Sequence, residues 1–122
     1  MRKNLDRYLD EICRDDLFRR ARIEAVEEWG EDIPMTILFS YFGKIIAREF
    51  AQMPADQKAR IFEAIEVGMV VGDESLKAVL CAGLLEGLYG QIYKDEAVVE
   101  AVMNHLKDSS KDHLLKWISW PE

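Results

Sequence analysis

The side chains of this 122-residue chain that could do chemistry are chiefly carboxylates, and many of them come in pairs: Glu27-Glu28, Glu31-Asp32, Asp73-Glu74 and Asp95-Glu96. Two carboxyls serve acid–base catalysis when a pocket holds them close and gives them unlike environments. Asp73-Glu74 and Asp95-Glu96 fall where helices are expected to begin, so they read as caps and as complements to the helix dipole. Glu24, Glu27, Glu28, Glu31 and Asp32 differ: five acids lie within nine residues around Trp29, at the expected C-terminal end of a helix, where negative charge is unfavourable. This run is read as a contact surface, weighed against a plain solvated face. Glu66 and Glu86 stand apart, because each interrupts or borders an apolar stripe where a neutral residue would pack better. A carboxylate of raised pKa in an internal pocket would be the ligand-binding or catalytic version of either.

Other chemistry finds little footing. His105 and His113 are separated by an expected turn, and Cys13 and Cys81 are isolated among apolar neighbours, with no C-x-x-C motif. The cysteines read as buried free thiols. Neither Cys13, Ser40 nor Ser75 lies in a motif that would activate a nucleophile. Gly83-Leu84-Leu85-Glu86-Gly87 lacks the Lys and Ser/Thr of a phosphate cradle and sits inside a helical pattern. Each glycine costs a helix interior about 1 kcal/mol against alanine. Two at this spacing, extended by Ala78 and Ala82, predict close approach of another helix backbone, with a groove for a partner as the alternative. No catalytic residue, cofactor or metal is expected.

The elements that must position these residues are helices. Leu5, Tyr8, Leu9, Ile12 and Cys13 mark one apolar face. Arg14-Asp15-Asp16 interrupts it, and Leu17, Phe18, Ala21, Ala25 and Trp29 continue the stripe to a stop at Gly30. Two short helices are favoured there over one long one. Asp32 and Pro34 are expected to open the next helix, whose stripe of Met35, Phe39, Phe42, Ile46 and Phe50, widened by Leu38 and Ile45, makes it the central one. From Pro54 to Gly90 the pattern is a helical hairpin: Ile61, Phe62, Ile65 and Met69 on the first arm, Gly72 as a left-handed stop, Asp73 as the next N-cap, then Leu76, Val79, Leu80, Leu84 and Leu88 before Gly90 ends the helix. Asp95 caps a helix faced by Val98, Val99, Val102, Met103 and Leu106. Ser109 and Asp112 have capping-box spacing ahead of a last helix with Leu114, Leu115 and Ile118 on its face, ending at Trp120-Pro121. Trp117 and Trp120 are expected to clamp that helix to the body, and Tyr89 and Tyr93 to be half exposed. No strand-like alternation occurs. The expectation is one all-α domain over residues 1–122, a compact irregular or HEAT-like bundle of about six helices in antiparallel hairpins.

Length and composition fit such a domain, with 49% apolar and 32% charged residues. The net charge of −7 is uneven: residues 1–32 hold 7 basic and 10 acidic side chains, and residues 73–104 hold 2 and 6. That balance disfavours nucleic acid and anionic lipid and suits a basic protein, with simple solubility as the bland alternative. No apolar run is long enough to span a bilayer, and the start of the chain lacks a signal-peptide core, so a cytoplasmic protein is expected.

Within residues 53–90 the order Pro54, Ile61-Phe62, Ile65-Glu66, Gly72-Asp73-Glu74, Leu76 and Gly83-Leu84-Leu85-Glu86 resembles small all-helical bacterial immunity proteins encoded beside polymorphic toxins, including those of contact-dependent growth inhibition systems. The resemblance covers about a third of the chain. It implies a non-enzymatic cytosolic protein that binds and neutralises one cognate toxin domain. If that toxin is a nuclease, its basic phosphate cleft would suit an acidic helical surface. The residues expected to bind are Glu24, Glu27, Glu28, Trp29, Glu31 and Asp32, with Asp73, Glu74 and Glu86 if they face outward. The rival readings are a helical adaptor and a small ligand-binding protein or enzyme using Glu66 or Glu86. The chain itself is expected to be a monomer or a weak dimer through apolar ends near Tyr93 or Trp120.

Overall fold

The computed structural model describes residues 4–119, and every regular element in that span is a helix. Seven helices are distinguished among the described residues: α1 (Leu5–Ile12), α2 (Asp16–Trp29), α3 (Met35–Glu49, tightened at its end into a 3-10 turn, Phe50–Gln52), α4 (Ala55–Val71), α5 (74–92), α6 (Glu96–His105) and α7 (Asp108–Ile118). None is long and apolar enough to cross a membrane. Local chemistry explains most boundaries. The side chain of Asn4 caps α1 by accepting from Arg7 N, and that of Asp15 caps α2 by accepting from Leu17 N at 3.0 Å, which breaks the N-terminal stripe into two helices. Gly30 ends α2 with φ +88°, a conformation that a side chain would resist. Asp73 and Asp95 cap α5 and α6 through Leu76 N and Val98 N.

Other boundaries differ from expectation. Gly72 is extended (φ −69°, ψ 154°), so its role is spatial: a Cβ there would collide with the carbonyl oxygen of Gly68 and crowd Leu76. Gly90 does not end α5, which runs on to Ile92. Asp32 caps nothing; α3 begins at Met35 after Pro34 without a side-chain cap. The Ser109–Asp112 capping box does not form either. The first amides of α7 are taken by Glu66, far away in sequence, as described below.

The core is one cluster centred on α3. Phe39, Phe42 and Ile46 are fully buried, and Phe42 meets both Phe18 and Phe39 edge-on with ring centroids 5.2 and 5.0 Å apart. Helix α5 supplies the opposite wall. Its middle, Leu80–Leu85, winds as a π-helix between two α-helical parts, Glu74–Val79 and Glu86–Ile92. The glycines explain how α3 and α5 come together. A Cβ on Gly43 would collide with Leu84 O and stand 2.6 Å from Leu88 N, and one on Gly83 would lie 2.7 Å from Thr36 O and 2.8 Å from Phe39 Cβ. The two backbones therefore touch, and the small-residue face of α5 is filled by α3 and not by a partner. The two-helix unit of α4 and α5 turns at Gly72-Asp73, where Leu80 lies against Gly68, but α5 then finds its main partner in α3.

The last helix departs furthest from its expected face. Ser110 and Leu114 are buried, whereas Leu115 and Ile118 are exposed. Trp117 is 40% exposed and meets Tyr89 edge-on at 5.8 Å, and Tyr93 is exposed beside Tyr89. Trp120 lies outside the described residues.

Candidate partner-binding surface

Helices α2 and α3 run antiparallel, and the pairing of their side chains sorts the acidic run. Arg20 grips Glu49 with two hydrogen bonds of 2.6 and 2.9 Å, Glu24 meets Arg48 at 3.2 Å, and Glu28 accepts the Tyr41 hydroxyl at 2.7 Å. Positions 20, 24 and 28 are spaced four apart on α2, so they form one row turned toward α3. Arg20 holds the Glu49 carboxyl below the usual carboxylate range, and the bond to Glu28 raises the Tyr41 hydroxyl, which stays neutral near pH 7. The next row turns away. Ile23, Glu27 and Glu31 are exposed with Asp32, and Trp29 is 54% exposed. Glu27, Glu31 and Asp32 form no ion pair among the described residues.

The paired row lines a cleft of about 400 Å³ between α2, α3 and the end of α5. Glu24 and Glu28 stand on one side and Lys44, Arg48 and Gln91 on the other, with Tyr41 between them. Lys44 Nζ lies 5.3 Å from the Tyr41 ring centroid. An exposed tryptophan at the end of α2, with a buried tyrosine, arginine and carboxylates on the neighbouring turns, is the composition of an interface anchor. The charged groups of the cleft are mostly already paired.

The remaining candidates do not join this surface. Asp73 is spent on capping α5 and lies about 27 Å of helix rise from Gln91, at the other end of the same helix. Glu74 is exposed at that far end. Glu86 is three-quarters buried and bonded to His113 Nε2 at 3.1 Å, so it belongs to the α5–α7 seam. Contrary to the alternative of a carboxylate poised in a pocket, Glu66 is structural. It accepts from Ser109 N (2.9 Å), Ser110 N (3.0 Å) and Ser110 Oγ (2.9 Å), closing the N-terminus of α7. Burial pushes its carboxyl up, but these donors outweigh burial and hold it below the usual range. The two cysteines are free, and burial raises both thiols, the reverse of an activated nucleophile. No group of three or more His, Cys, Asp or Glu among the described residues could hold a metal ion.

Sequence reasoning missed Tyr41, Lys44, Arg48 and Gln91. The 3.6-residue period of α3 assigns Tyr41 to the edge of its core stripe, and the four-residue spacing of Arg20, Glu24 and Glu28 is the signal that could have paired α2 with it. No protein-family model matches the chain, and neither does any curated protein or solved structure.

Proposed function

We propose that the chain is an immunity protein that binds a cognate toxin domain with a basic surface, one to one in the cytosol, and blocks it by occlusion or from an adjoining exosite. The observation that carries this reading is Trp29, 54% exposed at the C-terminal end of α2 and flanked in the chain by Glu27, Glu31 and Asp32, exposed carboxylates with no ion pair among the described residues. Such an edge offers an apolar anchor together with unneutralised negative charge. A net charge of −7 would steer a basic partner toward it, with association that slows as salt rises. The resemblance of residues 53–90 to immunity proteins supports the toxin as the class of partner.

The test is capture of the product of the neighbouring upstream gene, followed by isothermal titration and a toxicity assay in cells. Expected are tight one-to-one binding, loss of toxicity, and a large loss of affinity in the Glu27→Lys/Glu31→Lys double variant. A harmless neighbour that does not bind would overturn the toxin reading. Tight binding to a harmless neighbour would make the protein an adaptor that uses the same edge.

A further inference from the structure

A second cleft, of about 260 Å³, lies on the other side of α2, between α1, the start of α2 and α4. Its floor is made of Tyr8, Ile12, Phe18 and Ile61, all almost fully buried, with Ala64 and Val67 as a wall. The one polar group of this floor, the Tyr8 hydroxyl, is occupied: it donates to Ala64 O at 2.7 Å. The space is therefore apolar. An apolar cavity of about 150 Å³ takes a benzene ring, so this one has room for a ring and a short tail.

The rim is charged, and its balance is negative. Asp15 and Glu11 border the cleft with Arg60; Glu11 pairs with Arg7 at 3.4 Å, and Arg60 is shared between Asp15 and Asp56, which leaves one acid in excess. The geometry of Asp15 matters most. Its Oδ1 is fixed by capping α2 through Leu17 N, which holds the carboxylate in place at the lip. Its Oδ2 has Arg60 Nη2 at 3.6 Å, beyond direct hydrogen-bond range, and the Arg60 side chain is 59% exposed. Arg60 thus lies across the cleft as a loosely held strap, tied to an acid that a better-placed cation could engage at full bonding distance.

The geometry points to a binding site for a small aryl-alkyl amine, its ring on the Tyr8–Phe18–Ile61 floor and its ammonium on Asp15 in place of Arg60. A carboxylate of the same shape meets the Asp15 carboxylate at the lip and is disfavoured. The site lies apart from the Trp29 edge, and it stands or falls independently of the toxin reading.

The experiment is titration of the whole chain, followed by amide NMR, with three probes of one shape: 2-phenylethylamine, 2-phenylethanol and 3-phenylpropionate. Expected are saturable shifts confined to residues lining the cleft, with the amine binding about tenfold or more tighter than the alcohol and the carboxylate weakest. Asp15→Asn keeps a good N-cap residue, so the fold stays intact while the charge goes, and the amine's advantage over the alcohol is lost. Arg60→Ala removes the competing cation and tightens amine binding several-fold. Ala64→Leu fills the cleft and weakens all three probes. No saturable shifts, equal binding of the three probes, or an amine preference that survives Asp15→Asn would overturn the site, and so would weaker amine binding in Arg60→Ala.

Discussion

Helix α3 has two main neighbours, α5 and α2, and it meets them in opposite ways. Against α5 the contact is backbone to backbone, made possible by Gly43, Gly83 and Gly87, with no room for a methyl group at Gly43 or Gly83. Against α2 the aromatic contact of Phe18 and Phe42 lies deep, and the outer edge is held by Arg20–Glu49, Glu24–Arg48 and Tyr41–Glu28 around an open cleft. A sealed seam leaves nothing to present to a partner. An edge built from long polar side chains can exchange its contacts for others at low cost, since exposed ion pairs contribute little to stability. The same helix therefore carries the sealed interior of the fold on one side and an open polar edge on the other.

That contrast can be broken most severely at the seam. Gly43→Ala should destabilise the protein by about 3 kcal/mol or more, the upper part of the range for overpacking, because the obstacle is backbone and not a side chain that can rotate away. Chemical denaturation would show it, and an unchanged midpoint would mean that the helices stand further apart than described.

Glu66→Ala should follow at about 2 kcal/mol, since it strips two amides and the buried Ser110 hydroxyl of their acceptor. The linkage has a definite sign. Donors hold the folded carboxyl of Glu66 below its unfolded value, so its contribution is present above the unfolded pKa and lost as pH falls through the folded one. Stability measured across that acidic window should therefore fall less steeply in Glu66→Gln than in the parent.

Effects shrink at the α2 edge. Tyr41→Phe removes the hydroxyl that joins α3 to Glu28 and should cost about 1 kcal/mol in stability. Smallest of all, Glu27→Lys/Glu31→Lys should change stability by no more than about 0.5 kcal/mol, because both side chains are exposed. A large loss of stability there would mean that these two carboxylates support the fold and do not simply face solvent.

What the sequence reveals and what it hides divide along the range of the interaction. The all-α fold, the break at Arg14–Asp16, the stop at Gly30, the caps Asp73 and Asp95 and the core stripe of α3 are local or periodic, and all were legible. The small-residue face of α5 announced a close helix contact, though not which helix would make it. The function of Glu66 was invisible because its partners lie more than 40 residues away in sequence. For the same reason the face of α7 was legible only in part: Leu114 is buried as expected, but Ser110 joins it because Glu66 satisfies it, while Leu115 and Ile118 are left in solvent. In the acidic run the composition was plain, but its division into a paired row and an open row depends on how α2 lies against α3.

The π-helical stretch Leu80–Leu85 has a consequence for chain length. Such a stretch accommodates about one residue more than an α-helix would need between the same two ends. Elsewhere in α5, deleting one residue would swing everything beyond it by about 100° and carry Leu88 and Ile92 off the core. Within 80–85 the loss would be absorbed by a return to α-helical winding, with Leu76 and Leu88 still facing inward. Helix α5 thus holds one spare residue at its centre, and this is where a shorter version of the chain could arise without losing its fold.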